Sequence, residues 1–212
     1  MTSEQTLRLF VAIELPGTWQ QGLEELQSRM KVAIEQDPDL KDSQVRWVRP
    51  EAIHLTLKFI GEVAPGRLEV LQNQLAVAVQ EPPEIELSFS RAGTFADRRS
   101  PRVIWGGIET AQRERLYALA ASIETWLAAA GVPRERRSFT PHLTLARLPQ
   151  EMPDSVRLRI AEVTTHVDVP SMPPFVAHSV SLMRSQLGPG GARYERLMVY
   201  PISALQPPVR RI

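Results

Sequence analysis

The string His-Leu-Thr-Leu occurs twice, as His54-Leu55-Thr56-Leu57 and as His142-Leu143-Thr144-Leu145, and it limits what the chain can fold into more than any other stretch. Each copy lies in a short apolar, threonine-containing run with a proline upstream, Pro50 or Pro141, which favours a strand over a helix. In a strand, residues i and i+2 share one face and the residues between them take the other; on a helix they do not share a face. Each copy therefore presents an imidazole and a hydroxyl roughly 7 Å apart on one side. Leu55 and Leu57, or Leu143 and Leu145, are expected to be buried under helices on the other. With four His and eleven Thr in 212 residues, two histidines each carrying Thr at +2 arise by chance on the order of one time in a hundred.

The surrounding segments make two similar halves. Leu7 to Leu15 reads as a buried strand stopped by Pro16, and Thr18 to Gln36 as a helix ended by Asp37-Pro38-Asp39. Val45 to Val48 is a short strand before the first repeat, and Leu68 to Gln80 a helix closed by Pro82-Pro83. Ile85 to Phe95 and Arg102 to Ile108 read as a hairpin, followed by an amphipathic helix from Arg113 to Ala130 that ends at Gly131. After the second repeat come a short helix, Asp154 to Val163, and two strands, Phe175 to Leu187 and Ala192 to Ile202, around Gly188-Pro189-Gly190-Gly191. The tail with Pro207-Pro208 reads as loosely ordered. The pattern is an α+β fold, a single bilobal domain over residues 1–212. Two antiparallel sheets, related by an internal pseudo-twofold, face a central cleft and carry helices on their outer faces.

Composition narrows the function classes. The 25 Lys+Arg nearly cancel the 24 Asp+Glu, so no global field draws bulk nucleic acid and any RNA contact is local. Cysteine is absent, which removes disulfides, thiol catalysis and Cys-based zinc sites and suits a reducing cytoplasm. No stretch reads as a secretory leader or membrane span, so a cytoplasmic, monomeric protein without a membrane partner is expected.

Two histidines facing one another can move protons near neutral pH, one as base and the other as acid. Two threonine hydroxyls aimed at the same space suit an anion with several oxygens. Lys58 has the strand parity of His54 and Thr56, so strict alternation points it into the cleft as a cation for a phosphodiester; the competing reading is a solvent-facing lysine at the strand end. The chain has no HExxH helix and no GxSxG elbow, which leaves a metal centre or a serine triad poorly supported. His166 and His178 lack a threonine two residues on and read as ordinary histidines.

Several strings resemble a known family: Arg46-Trp47-Val48-Arg49-Pro50-Glu51 leading into His54-Leu55-Thr56-Leu57-Lys58-Phe59-Ile60-Gly61, and Phe139-Thr140-Pro141-His142-Leu143-Thr144-Leu145-Ala146-Arg147. The opening Leu9-Phe10-Val11-Ala12-Ile13 and the late Ser185, Gly191 and Tyr194 fit the same pattern. Together they resemble the RNA 2′,3′-cyclic phosphodiesterases, also called 2′-5′ RNA ligases, of the two-histidine phosphoesterase superfamily. The resemblance implies hydrolysis of RNA or nucleotide 2′,3′-cyclic phosphate ends to 2′-phosphates, with no metal or other cofactor, and 2′-5′ ligation as a possible reverse reaction. It makes His54 the proton donor and His142 the proton acceptor, with Thr56 and Thr144 on the phosphate. Arg147 falls at the family's arginine position, yet strict alternation from His142 turns it to the other face, so a cleft role requires a bulge near the strand end. Phe10, Trp47, Phe139 and Tyr194 are the candidates to stack on a base. The alternative is a module that binds nucleotides or RNA ends in the same cleft without turnover; a metal-dependent nuclease is a weaker third.

Overall fold

The computed structural model describes residues 6–80, 84–97, 100–188 and 191–202. The expected tail lies outside these residues, as does the centre of the Gly188 to Gly191 turn. The chain runs β1 (Leu7–Glu14), α1 (Gly17–Gln36), β2 (Arg46–Trp47), β3 (His54–Val63), α2 (Leu68–Ala78), β4 (Ile85–Asp97), β5 (Ser100–Glu109), α3 (Arg113–Ala129), β6 (His142–Arg147), α4 (Asp154–Thr165), β7 (Phe175–Ala177), β8 (Ser179–Gly188) and β9 (Gly191–Pro201). This is the expected α+β architecture, with each His-Leu-Thr-Leu copy opening a strand.

The strands are antiparallel and ordered β7-β4-β5-β6-β3-β1-β8-β9, with β2 beside β6. One lobe is built on β3, β1, β8 and β9, the other on β6, β5, β4 and β7. They meet where β3 pairs with β6 through Leu55 and Leu143, so the two sheets are the halves of one continuous surface. The expected single strand from Phe175 to Leu187 is broken at His178. Its first part pairs with β4 in one lobe and its second with β1 and β9 in the other.

The helix layers are exchanged between lobes. α1 follows β1 but packs on α4, which covers β4 and β5, and Trp19 of α1 sits edge-on against Phe89 and Phe175 of that far lobe. α3 follows β5 and packs on β3 and α2. The pseudo-twofold thus relates β1-α1-β3-α2 to β5-α3-β6-α4. Leu55, Leu143 and Leu145 are fully buried and Leu57 nearly so, in one apolar core that runs under both lobes.

Each repeat is followed by a bulge that alternation from the sequence does not show. Along β3, Thr56 pairs with Ala12 and Lys58 with Val11, leaving Leu57 without a partner. Along β6, Thr144 pairs with Trp105 and Ala146 with Ile104, leaving Leu145 without one. An extra residue in one strand turns its successor toward the same side. After each bulge the next residue but one, Phe59 or Arg147, therefore returns to the His/Thr face.

Candidate active site

The Leu55–Leu143 pair fixes the geometry of the centre. One step to either side in an antiparallel pair sets His54 beside Thr144 and Thr56 beside His142, all on one face and with neighbouring Cβ atoms about 5 Å apart. All four side chains are partly exposed, as groups that must meet a ligand have to be.

Both imidazoles are held alike. His54 Nδ1 lies 2.9 Å from the carbonyl of Ala52 and His142 Nδ1 lies 2.8 Å from the carbonyl of Thr140. A carbonyl can only accept, so Nδ1 carries the proton in each and Nε2 is left free for chemistry. Phe10 stacks on His54 with centroids 4.6 Å apart, and Tyr194 meets the same ring edge-on at 5.1 Å. Phe95 meets His142 edge-on at 4.9 Å.

Two hollows flank the pair. The one on the His54 side, about 450 Å³, is lined by Arg8, Phe10, Phe59, Tyr194 and Thr56, and across the seam by Thr144 and Arg147. The one on the His142 side, about 780 Å³, runs along β4 and β5 past Phe95, Trp105 and Arg91.

Electrostatics separate the two histidines. Burial lowers His54 from 6.5 to about 4, opposed by its hydrogen bond to Ala52 and by the carboxylate of Glu14, while His142 lowers it further. His142 is also lowered, by burial, against its hydrogen bond to Thr140, and Arg147 pushes it the same way as burial. Both are therefore neutral at pH 7 in the free protein.

Of the residues singled out from sequence, His54, Thr56, His142 and Thr144 come together, and the Leu145 bulge brings Arg147 onto their face. Lys58 does not join them. The Leu57 bulge turns it under the sheet, where it is 2% exposed, donates to the carbonyl of Pro133 at 2.7 Å and pairs with Glu124 of α3 at 2.8 Å. The cleft position that alternation gave to Lys58 is taken instead by Phe59, which is 55% exposed. Among the four candidate aromatics, Phe10 and Tyr194 line the site. Trp47 lies under Lys31 at 5.4 Å and Phe139 against Tyr117 at 5.5 Å, and neither lines a hollow beside the histidines. Glu14, Phe59 and Trp105 escaped the sequence reading. Among the described residues no group of three or more His, Cys, Asp or Glu side chains gathers to hold a metal ion, and no helix is long and apolar enough to cross a membrane.

The LigT like Phosphoesterase family model matches the chain in two consecutive stretches, residues 13–105 and 107–194, one for each half of the pseudo-twofold. The chain belongs to this family. A relative from Methanothermobacter thermautotrophicus named RNA 2′,3′-cyclic phosphodiesterase is 32% identical over 92% of this chain and 98% of its own length. Another of the same name, from Archaeoglobus fulgidus, is 28% identical over 92% of this chain and 99% of its own. In shape the chain is similar to E. coli LigT complexed with 3′-AMP, with a TM-score of 0.72, 24% identity and coverage of 94% of this chain and 100% of that one. That likeness carries the family's fold.

Proposed function

We propose that the protein hydrolyses RNA or nucleotide 2′,3′-cyclic phosphate ends to 2′-phosphates by general acid and base catalysis between His54 and His142. The observation that carries this reading is the Leu55–Leu143 pairing, which aims two free Nε2 atoms and two threonine hydroxyls at one space.

Hydrolysis requires water to lose a proton as it attacks phosphorus, while the P–O3′ bond breaks and the departing ribose oxygen gains one. His142 Nε2 takes the proton of water and His54 Nε2 supplies that of the 3′-oxygen. Thr56 and Thr144 donate to the non-bridging oxygens, and Arg147 adds a cation where negative charge builds. Two departures from the pseudo-twofold support this division of roles. Glu14 is the partner of His54 across β1 and β3, whereas Gly107 is the partner of His142 across β5 and β6. Arg147 follows the bulge beside His142 where Phe59 follows the bulge beside His54. A carboxylate beside one imidazole and a guanidinium near the other pull their proton affinities apart, in the direction that makes His54 the acid. A bound phosphate adds negative charge and restores the proton that burial removes from His54.

One chain supplies both histidines, so we read the protein as a monomer and a single bilobal domain, and its lack of cysteine suits the cytoplasm. The test is incubation with adenosine 2′,3′-cyclic phosphate in EDTA, with the products separated by chromatography. Adenosine 2′-phosphate is the expected product. The 3′-phosphate would reverse the choice of leaving oxygen, and unchanged substrate would refute the hydrolase reading.

A further inference from the structure

The hollow beside His142 has no task in hydrolysing a cyclic phosphate end, because such an end carries one nucleoside and its other reactant is water. Its size falls within the roughly 300–1,000 Å³ of small-molecule sites, and its walls are not those of a solvent channel. Trp105 points from β5 across β4, where its cross-strand partner is Gly93. A Cβ at Gly93 would lie 2.4 Å from the indole ring, and one at Gly107 would lie 3.1 Å from it. The two glycines therefore let the ring lie down on the sheet. Phe95 leans on the ring at 5.2 Å and 31°, and the Arg91 guanidinium stands 5.8 Å from its centroid. Ser90 and Arg91, left unpaired where β4 shifts register against β5, open the rim. Farther along, Arg113 covers Tyr117 at 5.2 Å, and both line the same hollow.

In-line displacement decides which side of phosphorus this hollow serves. The leaving 3′-oxygen stands on the His54 side, so the nucleoside that carries the cyclic phosphate occupies the hollow of Phe10, Phe59 and Tyr194. The nucleophile enters from the His142 side, opposite the leaving group. We propose that the Trp105 hollow is a second nucleoside subsite, which stacks the base of a 5′-hydroxyl nucleoside or RNA end whose hydroxyl stands where water otherwise attacks. The proposal rests on the assignment of His142 as base and His54 as acid.

Forward, the 5′-oxygen bonds to phosphorus and gives its proton to His142. The P–O3′ bond breaks, the 3′-oxygen takes a proton from His54, and a 2′-5′ phosphodiester results. In reverse, the 3′-hydroxyl of a 2′-5′ dinucleotide gives its proton to His54, attacks phosphorus and expels the 5′-oxygen, which is protonated by His142. Atoms and protons balance without any further reactant.

Two substrates separate the subsite from the centre. Adenosine 2′,3′-cyclic phosphate fills the His54 side alone, and adenylyl-(2′→5′)-adenosine fills both. In Arg91→Glu and in Trp105→Leu, the ratio of kcat/KM for the dinucleotide to that for the cyclic nucleotide is expected to fall about ten- to a hundredfold, the worth of one base stacked on an aromatic ring. General damage to the fold lowers both rates and leaves the ratio in place. Arg91 is exposed, so its variant folds even if the Trp105 variant does not. An unchanged ratio in Arg91→Glu and in a folded Trp105 variant overturns the subsite, as does a wild-type protein that hydrolyses the cyclic nucleotide but never cleaves the dinucleotide. Failure on both substrates overturns instead the hydrolase reading beneath it.

Discussion

Glu14 is the cross-strand partner of His54, and its carboxylate is gripped by Arg196 of β9, whose Nε donates at 3.0 Å. The ion pair ties the strand beyond β8 to the side chain that tunes the proton donor. Glu14→Gln removes a charge that favours protonated His54, so the alkaline limb of kcat should move to lower pH. The loss at pH 7.5 is expected to be up to about fivefold, the scale of a partly exposed charge pair. Arg196→Ala leaves the carboxylate unpaired beside His54 and should move the same limb the other way. Steady-state profiles of both variants check the pair of opposite signs; shifts in the same direction would exclude Glu14 as the tuning charge.

Burial lowers both histidines in the free protein, His54 to about 4, whereas a bound phosphate raises them. Only the singly protonated pair is competent, so activity is bell-shaped, with apparent values that belong to the pair. Since kcat/KM reports the free protein and kcat the complex, the maximum of kcat/KM should lie on the acid side of the maximum of kcat. Coincident maxima would mean that the phosphate does not set the protonation state.

Stability should carry the mark of His54 as well. Between about 4 and 6.5 the unfolded chain binds a proton that the folded one excludes. Stability therefore falls as pH drops through that window, and this group adds no further loss below it. The effect is at most about 3 kcal/mol. Urea midpoints at pH 7 and pH 4.5 should differ less for His54→Leu than for the wild type; equal differences would place the acid sensitivity elsewhere.

Lys58 and Arg147 should fail in different ways. Lys58→Met leaves Glu124 and the carbonyl of Pro133 without their buried partner, at a cost of about 3 kcal/mol in stability, with KM little altered. Arg147→Ala should leave the melting temperature nearly in place and lower kcat/KM about tenfold or more, as loss of a charge-assisted bond to phosphate. Thermal melts and kinetics on the same samples would expose any exchange of these roles.

His54→Ala and His142→Ala should each lower turnover about 10² to 10⁴-fold, and the double variant little more. A substrate with a good leaving group in place of the ribose oxygen needs no acid, so it should rescue His54→Ala and not His142→Ala. Rescue of His142→Ala alone would exchange the two roles.

Much of this centre is legible in the chain because strand parity is a short-range rule. His54, Thr56, Leu55 and Leu57 take the sides that alternation gives them, as do their counterparts in β6. Parity carries only as far as the next bulge, and neither Leu57 nor Leu145 marks itself as one: no glycine or proline stands there to announce an unpaired residue. That is why Lys58 reads as a cleft residue and lies under the sheet, and why Arg147 reads as turned away and lies in the site. The strand break at His178 is hidden for a similar reason, since both pieces are apolar enough to be buried and only their partners differ. Trp105 left a fainter trace. Gly93 and Gly107 are the positions over which its ring lies, but a glycine in a strand signals close approach without naming what approaches.

The exchanged helices bear on how a substrate enters. Only Leu15 and Pro16 separate β1 in one lobe from α1 on the other, and α1 also clamps the seam, where Gln27 donates to the carbonyls of Val48 at 2.7 Å and Leu145 at 2.9 Å. A hinge that parted the lobes would have to strip α1 from its bed and unpair Leu55 from Leu143 in the same movement. This enzyme is therefore a fixed vise rather than a pair of jaws: an RNA end must thread into a gap already set to its width, and selectivity rests on what fits between the walls.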